Sequence, residues 1–215
     1  MTCIVRSYRP SDREAVRTIC CDTGFHGNPI DPVFGDRETF ADFFTRYYTD
    51  REPESCLVAV ADGAVVGYLC GCVHFARFAA FRATLTAMLT PRIAVRIVCG
   101  RYRGVDRDFI RWVVFRGWRE TPDIPPRSAH FHINMLPAWR RTEPARTLIF
   151  TFLDSLPQRG AVRVYGQIRT FANRRSDRLF ERYGFRLYDR KTLTRFRAFD
   201  SRDLFVSTFF KTLEA

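Results

Sequence analysis

The sequence predicts a single domain of mixed α+β class, and three features of the chain support this prediction. Near the N-terminus, one strand and two helices precede an antiparallel hairpin whose turn is Asp62-Gly63. This dipeptide favours a tight two-residue turn, because both positions tolerate a positive φ. The C-terminal part alternates between strands and helices. The composition, 46% hydrophobic and 15% aromatic over 215 residues, allows a sizeable core and excludes a disordered chain.

The N-terminal elements follow from alternation, helix caps and helix breakers. Residues 3–8 alternate between apolar and polar and predict a first strand, which Pro10 ends. Ser11 and Glu14 form a capping box, which begins a helix that ends near Gly24. The other elements predicted here are a helix over 37–49 with an aromatic face and hairpin strands over 56–61 and 64–73.

Residues 74–127 form a basic segment that we interpret as a helical insertion within the domain. It holds eleven arginines against four acidic residues, and two of the three tryptophans. Periodicity predicts a helix over 75–89, a break at Pro91, and further helices over 93–99 and 105–118. Interleaved arginine and aromatic side chains can bind nucleic acid, cover a substrate or contact a second subunit, and they also suit a solvated helical hairpin.

The C-terminal part contains the best-defined helix signal of the chain. Asn173 can cap a helix, because its side-chain oxygen accepts a backbone N–H of the first turn. Gly184 then ends the helix, since glycine adopts the left-handed conformation at low cost. The other elements predicted here are strands over 129–136, 162–168, 185–190 and 203–211 and a helix over 144–156.

The charge of the chain and the length of its apolar runs indicate which partners and which compartment to expect. The formal net charge is +12, and 33 of the 35 basic residues are arginine, which favours an anionic partner or reflects arginine-rich codon usage. No apolar run approaches the roughly 18 residues of a membrane span, and the first residues lack the apolar core of a signal peptide. We therefore expect a cytoplasmic protein without membrane contact.

The seven cysteines predict buried apolar side chains. Their number is odd, and no Cys-x-x-Cys or Cys/His ligand spacing occurs, so neither a full set of disulfides nor a metal site is expected. Cysteine in this setting behaves as a small hydrophobic residue in a reducing compartment.

Residues 173–185, with the sequence Asn-Arg-Arg-Ser-Asp-Arg-Leu-Phe-Glu-Arg-Tyr-Gly-Phe, resemble the last helix of the GNAT N-acetyltransferase superfamily. The strand and helix order outside residues 74–127 is similar to that of the same superfamily. The resemblance implies a central, mixed but mostly antiparallel sheet flanked by helices. It also implies acetyl-CoA as co-substrate and a primary amine as acetyl acceptor.

The resemblance assigns the coenzyme site to the loop at residues 136–146, where the family has a phosphate loop of arginine and small residues. Arg140 and Ala145 match that pattern, whereas Glu143 stands where the family has its middle glycine. A carboxylate there would repel phosphate, so we expect weakened binding. The other residues predicted to contact the coenzyme are Arg141, Thr142 and Arg146 in the loop, Met135 and Leu136 through their backbone, and Asn173.

The predicted catalytic groups come from the strand over 129–136 and from the last helix. His130 and His132 share one face with Asn134, because side chains alternate along a strand, and imidazole can deprotonate an amine. A core role for both histidines is an equal alternative. The family's proton-donating tyrosine corresponds to Phe180, so Tyr183 is the nearest substitute, with core packing as its alternative.

Two functions remain open at this level. The first is an N-acetyltransferase that uses acetyl-CoA and an amine acceptor, which is a small molecule or a protein. The second is a catalytically impaired module of the same fold, whose basic insertion binds protein or nucleic acid. A dedicated nucleic-acid-binding protein ranks third, because no helix-turn-helix or zinc-finger signature is present. A homodimer is compatible with either function.

Overall fold

Seven strands form one sheet in the computed structural model, which describes residues 3–102, 104–171 and 177–213. They are β1 (Cys3–Ser7), β2 (Cys56–Ala61), β3 (Ala64–Cys72), β4 (Ala129–Met135), β5 (Arg163–Phe171), β6 (Arg186–Thr192) and β7 (Leu204–Thr212). Their order is β1-β2-β3-β4-β5-β7-β6, and every neighbouring pair is antiparallel except β4 and β5. The predicted mixed, mostly antiparallel sheet is therefore confirmed.

The predicted hairpin turn is present between β2 and β3. Asp62 and Gly63 have φ values of 49° and 80°, so both residues adopt the left-handed conformation that a tight turn needs. Pairing β2 with β3 in this way places Cys56, Val58, Tyr68 and Cys70 on one face of the sheet. These residues contribute to the first of two buried cores.

Seven helices cover the two faces of the sheet within the described residues. They are α1 (Arg13–Asp22), α2 (Arg37–Arg51), α3 (Phe75–Val98), α4 (Val105–Phe115), α5 (Gly117–Glu120), α6 (Glu143–Ser155) and α7 (Asp177–Arg182). α1, α2 and the insertion helices pack on one face, and α6 and α7 pack on the other. Among these helices, none combines the length and apolar character that a membrane span requires.

The described part of residues 74–127 is mostly helical, as predicted, but the predicted break at Pro91 is wrong. α3 continues through Pro91 to Val98. Proline removes one hydrogen bond from the helix interior, at a cost of about 3 kcal/mol. Leu85 and Leu89 are buried before it, and Ile93 and Ile97 pack on the core after it. Tertiary packing on both sides of the proline therefore holds the two halves as one helix.

Partly buried hydrogen bonds connect residues 74–127 with the start of α2. Asp36 caps α2 through the backbone N–H of Thr39 at 3.1 Å, and it also accepts hydrogen bonds from Arg96 and Tyr102 of the insertion. Burial alone would raise the pKa of Asp36, but these hydrogen bonds outweigh it and lower the pKa to about 2. Arg96 is thus paired within the protein rather than available to an anionic partner.

The described part of the last helix is α7, Asp177–Arg182, and the predicted cap at Asn173 lies outside the described residues. Gly184 follows the helix with a φ of 80°, as expected for a glycine that ends it. The prediction of buried cysteines holds for Cys20, Cys21, Cys56, Cys70 and Cys72, whereas Cys3 is half-buried and Cys99 is exposed.

Candidate active site

A V-shaped gap opens in the middle of the sheet between the parallel strands β4 and β5. Their pairing covers only residues 129–131 of β4 and 164–166 of β5. Beyond these residues β4 continues to Met135 and β5 to Phe171, and the two strands no longer pair with each other. The gap leaves backbone groups of β4 free for a ligand that can pair with a strand edge.

The backbone of Ile133 and Met135 faces this gap. The N–H of Leu136 donates to the carbonyl of Val66 at 2.9 Å, so the even-numbered residues of β4 pair with β3. In an antiparallel pair the intervening residues point their N–H and C=O the other way. Met135 therefore faces the gap and Leu136 faces β3. The Met135 carbonyl accepts a hydrogen bond from Arg140 Nε at 3.1 Å.

The N-terminus of α6 lies at the open end of the gap and lacks a side-chain cap. Thr142 occupies the cap position, but its hydroxyl donates to the Trp139 carbonyl at 2.6 Å instead of receiving a helix N–H. Pro144 has no N–H to offer, which leaves those of Glu143 and Ala145 in the first turn. Free N–H groups at a helix N-terminus attract anions, because the helix dipole adds to their partial charges.

The charged side chains of this loop point in different directions. Arg140 is bound to the Met135 and Gly27 carbonyls, and its guanidinium lies where a side chain on Gly27 would stand, 2.5 Å from an ideal Cβ. Arg146 and Glu143 are exposed, by 57% and 75%, and lie 3.7 Å apart. Glu143 therefore points into solvent and does not fill the gap. Arg141, Thr142, Ala145 and Arg146 are gathered at the start of α6.

A cavity of about 230 Å³ lies on the α1/α2 face of the sheet, beside the gap. His132, Asn134 and Arg169 form its floor, on β4 and β5. Trp112 and Pro122, from the segment predicted as an insertion, cover it. Residues of this segment thus cover the cavity, as a substrate lid would.

The two predicted histidines have different surroundings. His132 lines the cavity, with its Nε2 3.3 Å from the Asn134 amide nitrogen. His130 is buried, and its Nε2 lies 2.9 Å from the Tyr48 hydroxyl, with the Phe78 ring against it. Burial lowers the pKa of His130 to about 3. Burial and then the charge of Arg169 lower the pKa of His132 to about 4. Neither imidazole titrates near neutrality, in contrast to an ordinary histidine.

Tyr183 lies on the opposite face of the sheet from His132. Its ring packs edge-to-face on Phe150 of α6, with centroids 5.3 Å apart. Phe180, at the position of the family tyrosine, is buried between Phe185 and Phe209. The structure therefore brings His132 and Asn134 together in one cavity and places Tyr183 in the packing of the other face.

Two cavity residues, Arg169 and Arg195, were not singled out from the sequence. Arg169 donates to the Gly24 carbonyl at 3.0 Å, and Arg195 lies over the rings of Phe196 and Trp112 at 4.4 and 5.0 Å. Burial lowers the pKa of both guanidinium groups. The pKa of Arg195 is lowered to about 9, with the charge of Arg169 as the second cause. Alternation along β5 could have placed Arg169 on the cavity face, whereas no sequence signal marks Arg195, which follows β6 in a loop.

Comparison with known proteins identifies the fold. No protein-family model and no curated protein matches the sequence. Solved structures match along the chain. The crystal structure of SsHAT shares 28% identity with a TM-score of 0.71, with 100% of each chain covered.

Two further matches carry descriptions of activity. The yncA protein of Salmonella typhimurium, a candidate acetyltransferase solved with its cofactor acetyl-CoA, is 17% identical with a TM-score of 0.58 over 100% of this chain and 95% of that one. An acetyltransferase of the GNAT family from Streptococcus pneumoniae is 13% identical with a TM-score of 0.53 over 99% and 100%. The chain therefore has the fold of the GNAT N-acetyltransferase superfamily, and the resemblance read from its last helix is confirmed.

Proposed function

We propose that the protein transfers an acetyl group from acetyl-CoA to the primary amine of an acceptor. The observation that supports this most is the gap between β4 and β5. β4 leads from this gap to the loop before the uncapped N-terminus of α6, and residues of β4 and β5 beyond their pairing line the cavity that contains His132. A coenzyme and an acceptor would therefore approach the same point from two sides.

The residues around the gap suit acetyl-CoA. The free N–H groups of Glu143 and Ala145 would bind its diphosphate, with Arg141 and Arg146 as side-chain partners. The backbone of Ile133 and Met135 would pair with the amides of its pantetheine arm. When bound, acetyl-CoA supplies an acetyl group activated as a thioester, which a neutral amine attacks with release of the thiol.

Arg140, Leu136 and Asn173 have more limited parts in this proposal. Arg140 holds the loop containing Gly27 against the end of β4, so it shapes the site through backbone carbonyls. Leu136 supports β4 through its bond to Val66. Asn173 remains a predicted contact of the pantetheine arm.

His132 is the proposed proton acceptor in the cavity. Its lowered pKa keeps it neutral at pH 7, so a ring nitrogen can accept a hydrogen bond from the attacking amine or from a water. Asn134 orients the ring. His130, bound to Tyr48, supports the strand and serves at most as a second polar group behind His132. Tyr183, the nearest tyrosine in sequence to Phe180, remains only a prediction as the donor of a proton to the leaving thiolate, because its ring packs on Phe150 on the opposite face of the sheet from His132.

Calorimetry and a thiol-release assay together test this function. We expect acetyl-CoA to bind with a Kd between about 1 μM and 1 mM, the usual range for enzyme substrates. Free thiol should then appear only when an amine is added. Absence of binding at millimolar acetyl-CoA would contradict the proposal. If nucleic acid were then retained in a salt-dependent way, the binding module predicted as the alternative would be favoured.

Replacing Glu143 with glutamine should tighten acetyl-CoA binding by about two- to threefold, because a negative charge next to the diphosphate site is removed while solvent screens it. The side chain keeps its length, so helix α6 should persist. Asp154→Asn, at the far end of the same helix, is the matched control and should leave the Kd unchanged. Equal Kd values for wild type and Glu143→Gln would mean that the diphosphate binds elsewhere.

A further inference from the structure

Two cationic side chains, Arg169 and Arg195, line the cavity and form no ion pair with a described carboxylate. Among the described residues, no carboxylate forms an ion pair with Arg169 or Arg195. The Nε of Arg195 is buried and has no hydrogen-bond partner. Glu120 also lines the cavity, but its oxygens accept bonds from Trp112 Nε1 at 2.8 Å and from the Thr194 N–H at 2.6 Å. Burial and Arg169 lower the pKa of Arg195, whereas Glu120 acts to raise it, so the wall contains one carboxylate against two guanidinium groups and keeps an excess of positive charge.

The electrostatic influence of these arginines extends around the cavity. Besides burial, which is the larger cause, Arg169 lowers the pKa of His132, Arg195 and His26. A cavity with this potential opposes the entry of a simple ammonium ion. It favours an anion, whose charge would offset the desolvated guanidinium groups.

The volume of the cavity limits the size of the acceptor. Its volume of about 230 Å³ is below the roughly 300–1,000 Å³ of most ligand pockets. Guanidinium groups are planar and bind carboxylates through two parallel hydrogen bonds. A compact molecule with one carboxylate therefore fits both the space and the donors.

We propose that the acceptor is a small amino acid whose carboxylate is bound by Arg169 and Arg195 and whose amine lies at His132 and Asn134. This inference rests on the proposed acetyl transfer and names its substrate class. The positive surroundings also favour the neutral form of the bound amine, which is the form that attacks a thioester. A weakly basic imidazole at His132 is then sufficient to take the proton.

Matched acceptors test the inference directly. β-Alanine and propylamine have similar length and differ in the carboxylate, and taurine replaces the carboxylate with a sulfonate. We expect kcat/KM for β-alanine to exceed that for propylamine by about 100-fold, as for a charged group bound by desolvated partners. Arg169→Gln and Arg195→Gln should each reduce this preference at least tenfold, mainly through a higher KM for β-alanine. A preference for taurine would overturn the carboxylate assignment.

Control variants separate a binding role from a packing role. Arg163→Gln removes an exposed arginine from the same strand, β5, and should leave the preference intact. Because Arg195 rests on aromatic rings, Arg195→Met keeps the apolar contact without the charge, and it should behave like Arg195→Gln. Loss of activity toward both acceptors in equal proportion would show a structural role and overturn the inference.

A binding measurement distinguishes the failure of this inference from the failure of acetyl transfer. Propionate, titrated by calorimetry, should bind wild type and the Arg163→Gln control and should fail to bind Arg169→Gln and Arg195→Met. Binding with this pattern but without acetylation of any amine would support the anion site and reject the proposed transfer. Efficient acetylation of propylamine, with no gain from the carboxylate, would support transfer and reject the amino acid acceptor.

Discussion

Replacing His132 with alanine is expected to lower kcat/KM for acetyl transfer by about 100-fold, the typical contribution of a positioned proton acceptor. The shape of the pH–rate profile between about pH 6 and 9 should not change. The pKa of His132 is lowered to about 4 by burial and by Arg169, so the ring is neutral over that whole range. Only the titration of the acceptor amine then shapes the profile. The measurement is kcat/KM at saturating acetyl-CoA across this pH range.

A histidine on the surface provides the control for this prediction. His74 is exposed at the start of α3, and His74→Ala should retain wild-type kcat/KM. If His132→Ala instead abolished a limb of the profile near neutrality, His132 would titrate as an ordinary imidazole. The cavity would then be more hydrated than its geometry indicates.

The fold was largely predictable because its signals are local. The Asp62-Gly63 turn, the alternation of residues 129–136 and the glycine at 184 each specify a conformation through their own backbone preferences. The break expected at Pro91 failed for the opposite reason. Burial of Leu85 and Leu89 against distant elements outweighs the local preference of proline, and no short window of sequence contains that information.

The candidate site was predictable in position but not in chemistry. Alternation on β4 placed His132 and Asn134 on one face, and both line the cavity. The lowered pKa of His132 depends first on burial and then on Arg169, which is far away in the sequence and adjacent in the fold. Arg140 similarly matched a phosphate-loop pattern, yet its guanidinium is bound by the Gly27 carbonyl from another loop. Contacts between distant segments decide what each side chain can do.

The same limitation explains why Glu52 was not recognised as a structural residue. Its carboxylate is fully buried and accepts hydrogen bonds from the Tyr47 hydroxyl at 2.6 Å, the Ser55 hydroxyl at 2.7 Å and the Val73 N–H at 2.6 Å. Arg159 lies 3.6 Å away. Glu52 therefore links α2, the start of β2 and the end of β3. β3 is the strand that pairs with β4.

Replacing Glu52 with alanine is expected to lower the free energy of unfolding by about 3–5 kcal/mol, because buried donors lose their acceptor. For a chain of this size, the melting temperature should fall by roughly 10 °C. Urea denaturation followed by circular dichroism measures the effect. Glu54→Gln is the matched control, since Glu54 is 56% exposed, and its substitution should change stability by less than about 0.5 kcal/mol.

The stability difference between wild type and Glu52→Ala should depend on pH in a defined direction. Burial alone would raise the pKa of Glu52, but the hydrogen bonds from Tyr47, Val73 and Ser55 outweigh it and lower the pKa. A carboxyl with a lowered pKa in the folded state stabilises the protein above its unfolded pKa, about 4.3. That contribution is lost as the pH falls through the pKa of Glu52 in the folded state. The difference should therefore be constant at neutral pH and shrink below about pH 4. A difference that grew on acidification would mean that Glu52 is protonated in the folded protein, and its buried hydrogen bonds would then have to be reassigned.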